Sequence, residues 1–153
     1  MFAFLDPLVD PAFLDRRNPR GKVWVSYRVA GWIVAVVTVI GIVALAVTGV
    51  SSVSAVGKPG HPGVFPVAMA GLILVAATNL LTLAGSIQMV RGQVGGRRLT
   101  VLALILTVVC SLIYNVVLEN LAQFVLHVVI RAVLYLIVVL ARFPVEGQVT
   151  NKE

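Results

Sequence analysis

The stretch LTVLALILTVVCSLIYNVVLENLAQFVLHVVIRAVLYLIVVLARF, residues 99–143, decides the fold because it contains neither glycine nor proline. It can form a helical hairpin, with spans over 99–118 and 124–142 and a tight turn at the polar residues 119–123. It can also form one helix of about 65 Å, half of it outside a membrane. The second arrangement would expose the apolar residues 134–140 to water, so we favour the hairpin.

Two more apolar segments precede this stretch. Residues 29–50 and 65–90 are each long enough to cross a hydrocarbon layer of about 30 Å at about 1.5 Å per residue. They are separated by residues 57–63, GKPGHPG, which cannot continue a helix. A basic, glycine-bearing connection at 91–98 leads to the third span. We therefore predict an all-α integral membrane protein with four transmembrane helices, the third and fourth forming a tight hairpin.

The composition excludes the common soluble classes. Hydrophobic residues make up 59% of the 153 residues and charged residues 12%, against roughly 45 to 50% and 25% in soluble domains. A chain this short cannot enclose so much apolar surface, so the surplus must face lipid. The basic residues that produce the net charge of +6 lie beside the apolar segments. They do not form the surface stripe that a nucleic-acid site needs. We expect membrane lipids, and no nucleic acid, as partners.

Residues 1–28 are predicted to form a cytoplasmic or interfacial N-terminal arm. Asp6, Asp10 and Asp15 interrupt any apolar core of a signal peptide, so we expect no cleavage. Asp10 followed by Pro11 is typical of a helix start. The neighbouring Phe and Leu residues favour an arm that lies in the membrane interface or docks onto a partner subunit. Residues 143–153 are predicted to form a tail.

The positive charges are distributed asymmetrically around four spans. Ten of the twelve bases fall in the arm, in the 91–98 connection, at the last residue of the fourth span or in the tail, whereas the 57–63 loop carries only Lys58. These ten are Arg16, Arg17, Arg20, Lys22, Arg28, Arg91, Arg97, Arg98, Arg142 and Lys152. The positive-inside rule then places both termini in the cytoplasm. Arg preferred over Lys and abundant Ala and Val indicate a GC-rich bacterial genome. We therefore expect a multi-pass protein of the inner (plasma) membrane.

Ionisable side chains within the spans are candidate functional residues, because they are costly to bury in lipid. Arg131 lies near mid-membrane in the fourth span, His127 lies one turn before it, and Glu119 is the only acid near the membrane. The predicted hairpin brings Asn115 close to His127, and Ser111 close to Arg131. Arg131 can pair with Glu119, or with an acid or lipid headgroup on another subunit, and so fix helix register. Alternatively, Arg131 snorkels without a specific partner, or the three ionisable residues line a route for protons, ions or anions.

The second span carries a mildly polar seam at Asn79, Thr82 and Ser86. Such seams usually pack helices together, so we favour packing over a pore lining. His61 and His127 lie 66 residues apart without nearby cysteines, so we expect no metal and no other cofactor. A three-ligand site that adds Glu119 is the weaker alternative.

No catalytic or nucleotide-binding motif occurs in the sequence, so we do not expect an enzyme. The leading hypothesis is a non-catalytic accessory or assembly subunit of a larger bacterial membrane protein complex, packing through its helices and a buried Arg. The alternative is a small homo-oligomeric transporter or channel for ions or small anions. A membrane-embedded enzyme or quinone-site protein, with His127 and Tyr135 as its polar groups, is the third hypothesis.

Overall fold

The structure is a computed structural model, and it describes residues 25–49, 51, 64–93, 95–117 and 121–142. Most of the predicted N-terminal arm, the loop containing His61, Glu119 and the tail lie outside these residues. The elements are β1 (Val25–Ser26), α1 (Tyr27–Ala44), α2 (Val64–Val90), α3 (Gly95–Val117), α4 (Leu121–Leu140) and β2 (Ala141–Arg142). A π-helical segment, Leu45–Gly49, continues α1.

The described part of the chain is almost entirely helical. It contains four helices that are long and apolar enough to cross a membrane: Tyr27–Gly49, Phe65–Val90, Gly95–Val116 and Leu121–Leu140. This confirms the prediction of an all-α, multi-pass membrane protein with four spans. Many large apolar side chains on these helices are exposed, as expected where the neighbour is lipid.

Two helix starts differ from the sequence prediction. The third helix begins at Gly95 rather than residue 99, because α2 ends in a compact turn that leaves few residues for a connection. In that turn Gly92 has a φ of 77°, its N–H donates to the Met89 carbonyl at 2.9 Å, and the Gln93 N–H donates to the Gln88 carbonyl at 2.9 Å. This is a Schellman motif. The fourth helix begins at Leu121, so residues 121–123 of the predicted turn are helical.

The helices α2 and α3 pack antiparallel at very short range. A Cβ on Gly85 would lie 2.6 Å from Thr100 Oγ1, and a Cβ on Gly96 would lie 2.6 Å from the Met89 nitrogen. Buried residues, many of them small, recur at spacings of three and four along both contact faces, the pattern that lets membrane helices approach closely. They are Gly71, Val75, Thr78, Thr82, Gly85 and Met89 on α2, and Gly96, Thr100, Ala103, Thr107, Ser111 and Tyr114 on α3.

The chain enters α1 and leaves α4 at the same end of the helices. Val25 pairs with Ala141 and Ser26 with Arg142 in a short parallel ladder. At this end a buried cluster draws on all four helices, through residues that include Tyr27, Met89, Leu104 and Val138. This arrangement requires an even number of passes between the two strands.

At the opposite end α4 is less well packed. The buried cluster there contains Ala68, Val75 and Tyr114, with partly buried neighbours from the π-helical segment, α2 and α3. No described residue of α4 belongs to it. The buried residues of α4 are Leu134, Val138 and Val139, all near its end, whereas Leu121 at its start is 64% exposed. The first half of α4 therefore presents an apolar surface that the described part of the chain does not cover.

Candidate functional site

The site centres on Arg131 of α4 and Asn79 of α2. Arg131 is about halfway along Leu121–Leu140, and Asn79 is about halfway along Val64–Val90, so the two residues lie at similar depth. One terminal nitrogen of Arg131, Nη2, donates a hydrogen bond to Asn79 Oδ1. The amide nitrogen of Asn79 is also held in place, because Nδ2 donates to the Val75 carbonyl at 2.8 Å. The amide oxygen is thus held toward the guanidinium.

The charge of Arg131 is not neutralised by any described residue. Its second terminal nitrogen, Nη1, is buried and has no hydrogen-bond partner among them. All six acids of the chain lie outside the described residues, and Glu119 is the single acid between Asp15 and Glu146. Asn79 supplies a dipole but no charge. Within the described part of the chain, the mid-depth guanidinium therefore has no counter-charge, and burial without one is expensive.

Arg131 borders an apolar groove between α3 and α4. The groove has a volume of about 330 Å³. Arg131 is its one charged lining residue, and Tyr135 is its one polar neutral lining residue. The remaining lining residues are Leu104, Ile105, Val108, Val128 and Ala132. The groove therefore places a cation at the edge of a surface that is otherwise suited to apolar side chains.

The position of Arg131 relative to α3 differs from the sequence prediction. The sequence predicts Arg131 close to Ser111, but on α3 its groove is lined by Leu104, Ile105 and Val108. Arg131 thus borders residues nearer the start of α3 than predicted.

The candidates His127 and Asn115 are not joined by a hydrogen bond. Asn115 is fully buried, its Nδ2 donates to the Ser111 carbonyl at 2.7 Å, and its Oδ1 has no partner among the described residues. His127 is half-buried one turn before Arg131, so the two basic groups lie on one side of α4. The predicted proximity of Asn115 and His127 therefore yields no bonded pair.

Ser86 and the other hydroxyls of the seam bond to their own helices. The Ser86 hydroxyl donates to the Leu83 carbonyl at 2.8 Å and the Thr82 hydroxyl to the Thr78 carbonyl at 2.8 Å. The hydroxyls of Thr78, Thr100, Thr107 and Ser111 bond in the same way, three or four residues back. Hydroxyls satisfied by their own backbone can be buried between helices, a pattern that favours packing over a pore lining.

Arg97 is a residue whose role sequence reasoning missed. We assigned it to the basic connection, but it is 3% exposed in the first turn of α3. Its guanidinium donates to the Val139 carbonyl near the end of α4. Positive charge is favourable at the carboxyl end of a helix, so this contact fastens α4 to α3. Residues 91–98 contain three arginines, and the sequence does not indicate which of them is buried.

Tyr27 completes the connection at this end. Its hydroxyl donates to the Gln93 carbonyl at 2.8 Å and accepts from the Arg97 N–H at 3.1 Å. The start of α1, the turn after α2, the start of α3 and the end of α4 are therefore linked through Tyr27 and Arg97. We call this arrangement the Tyr27–Arg97 link.

Within the described residues, no three His, Cys, Asp or Glu side chains are grouped to hold a metal ion. Glu119 and His61 lie outside them. The single cysteine, Cys110, is partly buried and packs against the cluster containing Val75 and Tyr114.

Comparison with protein-family models, curated proteins and solved structures found no match.

Proposed function

We propose that this chain is a non-catalytic accessory or assembly subunit of a larger bacterial membrane protein complex. It packs against larger subunits through its helices and through Arg131. The observation that carries this proposal is the mid-depth guanidinium with Nη1 buried and unpartnered among the described residues. A cation that its own described neighbours do not neutralise is best stabilised by a carboxylate from another subunit.

The exposed first half of α4 supports the same function. Its apolar side chains are uncovered within the described chain, and they continue directly into the groove beside Arg131. Membrane helices associate by close van der Waals packing and interhelical polar contacts. The surface of α4 offers exposed apolar side chains for packing and Arg131 for a polar contact.

We further propose that the protein lies in the inner membrane with both termini cytoplasmic, and that α3 and α4 form a tight hairpin. The strands β1 and β2 lie at one end of the bundle. Arg28, Arg91 and Arg98 are exposed at the same end, as expected for a cytoplasmic face. Cysteine labelling from each side of the membrane, at Ser26 and at Leu121, tests this orientation.

The experiment that tests the function is affinity purification from native membranes in mild detergent. We expect stoichiometric companion subunits with the wild-type chain and their loss with Arg131→Leu. Val133→Leu, an exposed neighbour on α4, is the matched control and should retain them. Thermal stability of each variant must be measured, so that loss of companions is not confused with unfolding. A solitary, monodisperse wild-type monomer would contradict the proposal.

One observation favours the alternative of a small homo-oligomeric transporter or channel. Arg131 places a positive charge on α4, with the His127 imidazole one turn before it on the same side, and this arrangement suits an anion. Reconstituted protein should then self-associate and pass small anions, with flux that falls in Arg131→Leu. Absence of flux in such vesicles would exclude this alternative and leave the accessory role.

A further inference from the structure

We infer that the groove between α3 and α4 receives a transmembrane helix of the partner, and that this helix carries an Asp or Glu near mid-membrane opposite Arg131. This inference rests on the proposed accessory function and specifies its surface and partner chemistry. The groove lies beside the least covered helix of the bundle, and Arg131 is the charged residue in its lining.

Depth distinguishes a carboxylate on a helix from a lipid headgroup. Arg131 lies ten residues after Leu121 and nine before Leu140, about 15 Å from either end of the helix. Lipid phosphates lie at the two edges of the hydrocarbon layer, which is about 30 Å thick, so they are also about 15 Å from its centre. A side chain on a partner helix can present its carboxylate at the required depth.

Within the described residues, a second copy of this chain offers no carboxylate at mid-depth. None of its described residues is acidic, and Glu119 precedes the first residue of α4 by two positions. We therefore assign the acid to a different protein.

The walls of the groove suit a helix rather than a small polar ligand. Five of its lining residues are aliphatic, and one of these, Ala132, is small and exposed. A small residue allows a neighbouring helix to approach closely. The aliphatic side chains opposite Ala132, such as Ile105, can then pack against apolar residues of the incoming helix.

Asn79 holds Arg131 in the absence of the partner. The bond between them joins a charged donor to a neutral acceptor, whereas a carboxylate would form a bond between two charges, which is stronger. When the partner helix occupies the groove, rotation of the flexible Arg131 side chain brings the guanidinium to its carboxylate. Asn79 is thus a positioning residue that the partner's carboxylate displaces.

Site-specific photo-crosslinking in native membranes tests this inference. A benzophenone amino acid replaces Ala132 in the groove, and in a second variant it replaces Ile105 on the opposite wall, in case bulk at Ala132 blocks the site. The control position is Ile40, which is 63% exposed on α1. We expect either groove position to capture a transmembrane peptide of another protein that contains Asp or Glu within two turns of the crosslink.

Variants at Asn79 and Arg131 then test the role of charge. The crosslinking yield should fall at least tenfold with Arg131→Leu, and also with Asn79→Asp, which supplies a competing carboxylate within the chain. Asn79→Leu, which supplies none, should retain the crosslink. Replacing the captured acid by its amide should reproduce the loss seen with Arg131→Leu.

Several outcomes would overturn the inference. They are capture of lipid alone, capture of a second copy of this chain, capture of a helix without an acid, or a yield that Arg131→Leu leaves unchanged. If Ile40 captures a partner subunit and both groove positions capture none, the accessory function stands and the groove assignment fails. If no position captures a protein and no companion co-purifies, both proposals fail.

Discussion

Replacement of Gly96 by alanine should destabilise the protein, whereas the same replacement at the adjacent Gly95 should not. A Cβ on Gly96 would lie 2.6 Å from the Met89 nitrogen and 2.8 Å from Gln88 Cβ, both on α2. These distances are far below van der Waals contact, and the first involves backbone that cannot rotate away. A Cβ on Gly95 would meet nothing within 4 Å. The two glycines therefore form a matched pair on the same helical turn.

The expected magnitudes follow from two opposing effects. Alanine is favoured over glycine in a helix by up to about 1 kcal/mol, a gain that both variants share in part. Forcing extra volume into a closely packed contact costs about 1 to 3 kcal/mol. We expect Gly95→Ala to be neutral or stabilising, and Gly96→Ala to be less stable than Gly95→Ala by about 1 to 3 kcal/mol.

The measurement is reversible unfolding of the purified protein in mixed detergent micelles, followed by circular dichroism or by the fluorescence of its tryptophans. Gly85→Ala, whose Cβ would lie 2.8 Å from the Thr100 nitrogen, provides an independent test from the α2 side of the same contact. If Gly96→Ala and Gly95→Ala unfold at the same denaturant concentration, the close approach of α2 and α3 described above is wrong.

Three further predictions concern individual polar contacts. Tyr27→Phe removes one hydroxyl that bonds two backbone groups, so it should lower the free energy of unfolding by about 1 to 3 kcal/mol. The control, Trp32→Phe, changes an exposed side chain and should have little effect. Arg97→Gln should speed backbone hydrogen exchange in the last turn of α4, because it removes the guanidinium that binds the Val139 carbonyl. Arg91→Gln should leave that exchange unchanged. Equal exchange rates in the two variants would contradict the role of Arg97 in holding α4. Asn79→Asp should raise the thermal stability of the isolated chain, because it places a counter-charge beside the mid-depth guanidinium, and a fall in stability would argue against that pairing.

The four spans could be predicted from the sequence because their signals are strong and local. Long apolar segments separated by glycine, proline and basic residues indicate transmembrane helices whatever their packing. Helix boundaries depend on local detail that is harder to interpret. The glycines at 95 and 96 suggest a loop, yet Gly96 is helical and lies where α2 and α3 approach closely. A glycine that permits close packing and a glycine that ends a helix look the same in one sequence.

The sequence singles out Arg131 and Asn79 individually, but it does not predict the contact between them. Arg131 and Asn79 were both identified because polar groups inside apolar spans are costly. Their contact was missed because we sought an acid for Arg131 and treated Asn79 as part of a separate seam. Both residues lie about halfway along their helices, and matching their depths would have suggested the pair. The inward orientation of Arg97 had no such signal, since it depends on where the carboxyl end of α4 lies.

The packing of the helices explains how a partner could bind without disturbing the fold. The closely packed pair α2 and α3 does not depend on the first half of α4, which takes no part in the buried cluster around Val75 and Tyr114. At its other end α4 is held by Arg97 and by the short ladder between β1 and β2. A helix fixed at one end and loosely packed at the other can adjust at small cost, because few buried contacts must be broken. Arg131 lies between these two regions, where such an adjustment would turn its charge toward an incoming helix.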